Sequence, residues 1–302
     1  MTNAARPNVL LAEVALLLMS VIWGVNYSVI KYGTSVMPPL AYNGMRIMIA
    51  ALALTVIALL WGGEMPPRRD LLALLALGAL GNGVYQVFFV EGLARTRAGE
   101  AALVVGASPA LMALIGRLRG VERVNRRGAI GIALSMFGVA LIVLSRAATG
   151  GPTQGGSLAG DLLVLCGSVC WAVYTILLIP YTTRVSGWWV TALTIVGGSL
   201  VLAVAGGADI VSVNWVSLTG SAWAAILYSG LGALVIAYLL WYHGVRVVGP
   251  TRTALYGNLQ PLIALLVAWL TLGEVPTTWQ GIGAATIVSG VLLTRVPASE
   301  AT

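Results

Sequence analysis

The sequence predicts an all-α integral membrane protein of ten transmembrane helices, built as two five-helix inverted repeats with the N- and C-termini cytoplasmic. Three observations carry that reading: a composition too apolar for water, a series of apolar runs of spanning length, and residue identities that recur at a fixed shift. Of 302 residues, 59% are hydrophobic and 9% charged, whereas a soluble domain carries about 25% charged residues. A spanning helix needs about 20 apolar residues to cross a hydrocarbon core of roughly 30 Å. This length therefore holds about ten crossings with short loops and leaves no room for a separate soluble domain.

Apolar runs between charges and Gly or Pro breaks place helices near 10–31, 39–61, 71–92, 99–117, 127–145, 160–180, 187–206, 217–242, 250–272 and 278–295. The first run, Val9 to Ile30, follows Arg6 and could pass for a secretory signal. It is too long, lacks a small-x-small cleavage site and is followed by nine more runs, which makes it the first span. Alternating sides puts Arg6, Arg68, Arg69, Arg117, Arg119, Arg123, Arg126, Arg127, Arg184, Arg246, Arg252 and Arg295 on the N-terminal face. Lys31, Arg95, Arg97 and Arg146 fall on the other. The excess of basic residues assigns the N-terminal face to the cytoplasm. It also absorbs most of the net charge of +7, so no nucleic-acid partner is expected. Cys166 and Cys170 lie four apart in an apolar run and read as buried, inert thiols. Neighbours on one helix are poor disulfide partners, and no second pair completes a zinc site, so no metal or cofactor is expected.

A shift of 152 residues lays the third to fifth helices on the eighth to tenth. Gly92 meets Gly244, Ala102-Leu103 meets Ala254-Leu255, Pro109 meets Pro261, Glu122 meets Glu274, and Gly131 and Gly138 meet Gly283 and Gly290. Shared apolarity does not explain coincident Gly, Pro and Glu. The division is residues 1–147, a Gly-rich linker at 148–159, and residues 160–302. Five spans per copy force the second copy to enter the membrane from the opposite face. Inverted repeats let two halves exchange conformations about one central site, the architecture of alternating access.

Matching interrupted helices in the two halves point to such a site. Here they are the fourth, with Ser108-Pro109, and the ninth, with Gln260-Pro261. Proline frees a carbonyl one turn earlier, which at mid-membrane faces either a partner or a wet cavity. Polar and aromatic side chains cluster at helical spacing: Trp23, Asn26 and Tyr27 on the first helix, Asn82, Tyr85 and Gln86 on the third, and Trp171 and Tyr174 on the sixth. Tyr238 on the eighth helix, and Tyr256, Asn258 and Gln260 on the ninth, continue the set. For the amides, interhelical hydrogen bonding and ligand contact are both open readings. Trp188, Trp189, Trp241 and Tyr242 sit near span ends and read as an aromatic belt.

Glu13, Glu91, Glu100, Asp161, Glu122 and Glu274 fall at helix ends, within reach of water or an arginine. Arg46 lies inside the second helix and should snorkel outward, pair, or face the cavity. With Lys31 it could attract a carboxylate. Glu122 and Glu274 read as dipole caps or arginine partners before the fifth and tenth helices. Gly131, Gly138, Gly283 and Gly290 predict close helix packing, within the monomer or between protomers.

Trp23-Gly24-x-Asn26-Tyr27 with Lys31, Pro39 and Arg46, the Ser-Pro and Gln-Pro helices, and Leu272-Gly273-Glu274 before Gln280-Gly281 together resemble the ten-helix EamA-type branch of the drug/metabolite transporter superfamily. Val121-Glu122 departs from the pattern by lacking the glycine before Glu. Within the branch the chain is most similar to YddG-type exporters of aromatic and other neutral amino acids. The resemblance implies a secondary transporter in a bacterial inner membrane with a small-molecule substrate, for which a monomer suffices and a homodimer stays open. Drugs and nucleotide-linked sugars are the alternative cargoes. An intramembrane enzyme would need a nucleophile with its base, or paired carboxylates at one depth, and His243 stands alone in the sequence. A channel is the remaining alternative.

Overall fold

The computed structural model describes residues 9–120, 126–148, 157–248, 253 and 256–295, and every regular element among them is helical. Helix α1 is Val9–Val36, α2 Pro39–Trp61, α3 Arg68–Arg95, α4 Ala98–Leu118 and α5 Arg126–Ala148. In the second half, α6 is Leu158–Thr182, α7 Gly187–Ala205, α8 Gly220–Val248, α9 Gln260–Leu272 and α10 Thr278–Arg295. Seven described helices, α1 to α4 and α6 to α8, are long and apolar enough to cross a membrane, while Gln260–Leu272 and Thr278–Leu293 are apolar but shorter. Leu10, Leu52, Leu59, Leu200 and Leu270 are left bare on outer faces, an arrangement that lipid tolerates and water does not. Cys166 lies on such an exposed face, so the expectation that both thiols are buried is corrected for it.

Local chemistry sets the helix ends. Pro39 opens α2, where a missing amide costs nothing. The Ser157 side chain accepts from Gly160 N at the start of α6, and Thr219 does the same for α8. Gly273, at φ 68°, closes α9 in the left-handed conformation that glycine adopts most readily. The two sequence-marked prolines sit in first turns: α4 is interrupted at Ala107 and resumes at Ser108 ahead of Pro109, and α9 begins at Gln260 ahead of Pro261. Both α3 and α8 contain a widened π-helical stretch, Ala79–Val84 and Tyr228–Ile236.

Helices α5 and α10 pack backbone to backbone. A Cβ on Gly138 would lie 3.0 Å from the Gly283 carbonyl oxygen, and one on Gly290 would lie 2.5 Å from that of Gly131. Ser135 Oγ donates to the Ile287 carbonyl at 3.3 Å, and these two residues are themselves 152 apart. The small-residue stripe is therefore used inside the monomer. Glu122 and most of the 148–159 linker lie outside the described residues.

A Cβ at Gly290 would meet Ser135 Oγ at 2.4 Å, whereas Gly281 of the same helix faces open space. Gly290→Val should cost about 1–3 kcal/mol through overpacking. It should lower the thermal midpoint of the detergent-solubilised protein, with Gly281→Val as the near-neutral control.

Candidate functional site

Helical spacing on α1 builds the first wall of the site. Trp23 meets Tyr238 edge-on at 5.7 Å and tilts against Trp241 at 5.9 Å. Its indole N–H donates to the Ala233 carbonyl inside the π stretch of α8, a use for backbone that a widened turn disturbs. One turn along, Tyr27 meets Phe89 edge-on at 5.8 Å. Phe89 stacks on Tyr85 at 5.5 Å, Tyr85 meets Trp171 at 5.3 Å, and Trp171 meets Tyr174 at 5.2 Å. Tyr238 lies within electrostatic reach of Tyr85, Tyr174 and Tyr242. Ring contacts thus join α1 to α8 through Trp23, Tyr238 and Trp241, and α1 to α3 and α6 through Tyr27, Phe89, Tyr85, Trp171 and Tyr174, two aromatic sets.

Arg46 is 1% exposed. It does not snorkel, because its own helix and two neighbours, α3 and α8, supply acceptors. Its Nε donates to Asn43 Oδ1 at 2.7 Å, Nη1 to Ser229 Oγ at 2.8 Å and Nη2 to Gln86 Oε1 at 2.7 Å. Asn43 Nδ2 donates to the Gln86 carbonyl, and Ser229 Oγ donates to Asn26 Oδ1. One guanidinium thereby connects α1, α2, α3 and α8. Tyr42, Tyr85 and Tyr238 lie within its electrostatic reach.

Lys31 belongs to a different network. Its ammonium donates to the carbonyls of Leu93, Ala94 and Thr96 at 3.1, 3.0 and 2.6 Å, filling acceptors that the end of α3 leaves without helical donors. Lys31 and Arg46, expected together to attract a carboxylate, thus take their hydrogen bonds from separate networks. Nearby, the Thr96 hydroxyl hydrogen-bonds Asp161 and lies 3.2 Å from Glu100 Oε2, while Gln280 Nε2 donates to Glu100 Oε1. Glu100 and Asp161 are 6% and 0% exposed, so these two helix-end acids are enclosed by protein instead of reaching water. Glu274 accepts from the amides of Ala98 and Gly99, with Arg97 beside it at 3.9 Å. It caps α4, not the α10 that follows it. A cleft of about 420 Å³ opens at this end, lined by Lys31, Tyr32, Arg97 and Glu274 among others.

The remaining candidates divide. Asn82 is buried in the π stretch of α3, and its Oδ1 accepts no hydrogen bond among the described residues. The Tyr174 ring lies against Gly81, where a Cβ would come within 2.1 Å of it. Tyr256 packs, as Trp23 and Trp241 do, against the buried Leu16, Met19 and Ala237, and its carbonyl accepts from Ser20. Ser108 is buried with its hydroxyl unbonded among the described residues. Asn258 lines a narrow cleft with Leu103, Gly106 and Pro261. Gln260 is partly buried, with its carbonyl against Gly24. Trp241 packs on Trp23 and Trp189 is 3% exposed, so the belt reading is corrected for both. Asn43, Phe89 and Ser229 escaped notice in the sequence, although Asn43 stands three residues from Arg46 on the same helical face.

The profile of the EamA-like transporter family matches residues 10–144 and again 158–296. The chain belongs to the EamA-like transporter family. Among its relatives, the transporter YyaM of Bacillus subtilis (strain 168) is 26% identical over 281 residues, covering 92% of both chains. A probable amino-acid metabolite efflux pump of Salmonella typhimurium is 28% identical over 286 residues, again 92% of both. A probable terminal-alkyne amino-acid exporter of Streptantibioticus cattleyicolor is 28% identical over 279 residues, covering 92% of this chain and 91% of its own. A solved structure superposes with a TM-score of 0.62 at 21% identity, over 93% of this chain and 95% of that one, and shares the fold. This EamA-family chain is therefore a multi-pass membrane transporter, with a small molecule as its cargo.

Lys31 supplies a test of how the two basic networks differ. Lys31→Met removes charged hydrogen bonds worth about 1.5–3 kcal/mol each before relaxation, so the thermal midpoint should fall while Lys31→Arg recovers part of it. Unchanged stability with lost transport would instead place Lys31 on the substrate.

Proposed function

We propose that the chain exports small neutral and aromatic amino acids and related metabolites across a bacterial inner membrane by alternating access. In this reading ten spans form two inverted five-helix repeats, residues 1–147 and 160–302, with both termini cytoplasmic. The observation that carries it is the two sets of ring contacts, Trp23 with Tyr238 and Tyr85 with Trp171 and Tyr174, drawn from helices of both halves, together with the buried guanidinium of Arg46 bonded to Gln86 and Ser229 of the same helices α3 and α8. Flat π faces suit apolar or aromatic side chains, and amides and hydroxyls suit the polar end of a net-neutral solute. The names of two relatives, an amino-acid metabolite efflux pump and an amino-acid exporter, point to the same cargo class.

Features recurring between the halves support the rocking motion. Interruptions before Ser108 and Gln260, π stretches ending at Val84 and Ile236, and the α5–α10 contact about Ser135 and Ile287 are each related by 152 residues. Such elements give each half a place to bend and a shared axis about which to turn.

Purified protein in liposomes should exchange labelled phenylalanine, tryptophan or a smaller neutral amino acid in a counterflow assay. Tyr85→Ala and Trp171→Ala should each weaken apparent affinity by roughly tenfold, the equivalent of one lost aromatic contact with its burial. Expression and thermal stability should stay near wild type. No movement of any amino acid beside a working control would reject the cargo, and unchanged kinetics in both variants would reject the site.

A further inference from the structure

A guanidinium carries five N–H donors, and Arg46 engages three of them with Asn43, Ser229 and Gln86. One hydrogen remains on each Nη nitrogen, matching in number the two oxygens of a carboxylate. The surrounding groups are neutral on every side: Asn26 from α1, Asn43 and Tyr42 from α2, Tyr85 and Gln86 from α3, and Ser229 and Tyr238 from α8. Among the described residues no carboxylate pairs with Arg46, although it is 1% exposed. Elsewhere the molecule does pair its cations: Arg184 with Asp70, Arg95 with Glu91 and Arg97 with Glu274. A buried cation held only by neutral acceptors is costly, and an arriving anion of the right shape relieves that cost.

We propose that Arg46 is the carboxylate receptor of the transport site, completing its charge balance with the substrate's own carboxylate. The assignment rests on the amino-acid reading above for the identity of the cargo, but needs only a carboxylate on an apolar body for its chemistry. The aromatic rings take that body, and Asn43 and Gln86, each tied to the guanidinium through one acceptor oxygen, keep it oriented. The carboxylate reaches the arginine when α3 and α8, which supply Gln86 and Ser229, move apart. The selectivity that follows is for acids over the corresponding amines.

Binding to the full-length protein in nanodiscs, read by calorimetry, tests this with 3-phenylpropionate and phenethylamine as probes of equal apolar bulk. Wild type should prefer the acid, and Arg46→Gln should lose at least about tenfold in acid affinity while amine affinity moves less than about twofold. Arg46→Lys should fall between, since an ammonium keeps the charge but not the fork. Asn43→Asp places a permanent counter-ion against the guanidinium and should depress acid binding in the same way, which keeps the test informative if Arg46→Gln does not fold. Equal acid affinity in these variants, or equal losses for both probes, would overturn the assignment. Absent amino-acid transport alongside arginine-dependent acid binding would count against the cargo class alone.

Discussion

Placing a guanidinium among neutral amides, a hydroxyl and phenols inside a lipid-embedded protein is the constraint around which this molecule is arranged. Hydrogen bonds from a charged donor are worth about 1.5–3 kcal/mol each, while removing an ion from water costs several kcal/mol. The balance holds only because α2, α3 and α8 each offer an oxygen at 2.7–2.8 Å, and because the Ser229 hydroxyl, while accepting from Arg46, donates its own hydrogen bond to Asn26 of α1. Four helices are thereby fixed to one point. A network of neutral acceptors is also one that an anion can enter without displacing a fixed charge.

The packing away from this point separates what must be rigid from what can move. Gly131, Gly138, Gly283 and Gly290 bring α5 and α10 to backbone contact, so that the pair meets as one unit. At the opposite end from the N-terminus of α1, Lys31, Thr96, Glu100, Asp161, Gln280 and Glu274 tie the ends of α1, α3, α4, α6 and α10 and the loop before α10. Between these regions, α3 and α8 carry their π stretches and α4 is interrupted at Ala107. Departures from regular helix are concentrated near the candidate site, where they free carbonyls such as that of Ala233 for side chains to use.

Much of this was legible in the sequence because lipid imposes a one-dimensional code. Apolar length and Gly/Pro punctuation placed the helices, with α2 starting at Pro39 and ending at Trp61 as read. Helical spacing grouped Trp23 with Tyr27 and Trp171 with Tyr174. Partners across helices were not legible: nothing in the sequence joins Asn43 or Ser229 to Arg46 beyond the local i, i+3 spacing of Asn43. Distance from a span end also misled. Trp241 lies near one yet packs on Trp23, and Glu100 and Asp161 lie at helix ends yet are enclosed, with Thr96 bonded to both and Gln280 to Glu100. Depth along one helix says little about what the others cover.

The central claim is that cargo binds at the aromatic rings and Arg46. An experimental structure of the protein in nanodiscs with saturating L-phenylalanine tests it most directly. The ligand's ring should lie between Tyr85, Trp171 and Tyr238, with its carboxylate on the Arg46 guanidinium and the halves rotated relative to the arrangement described here. Ligand density confined to the cleft at Lys31 and Glu274, with Arg46 still bonded only to Asn43, Gln86 and Ser229, would contradict it.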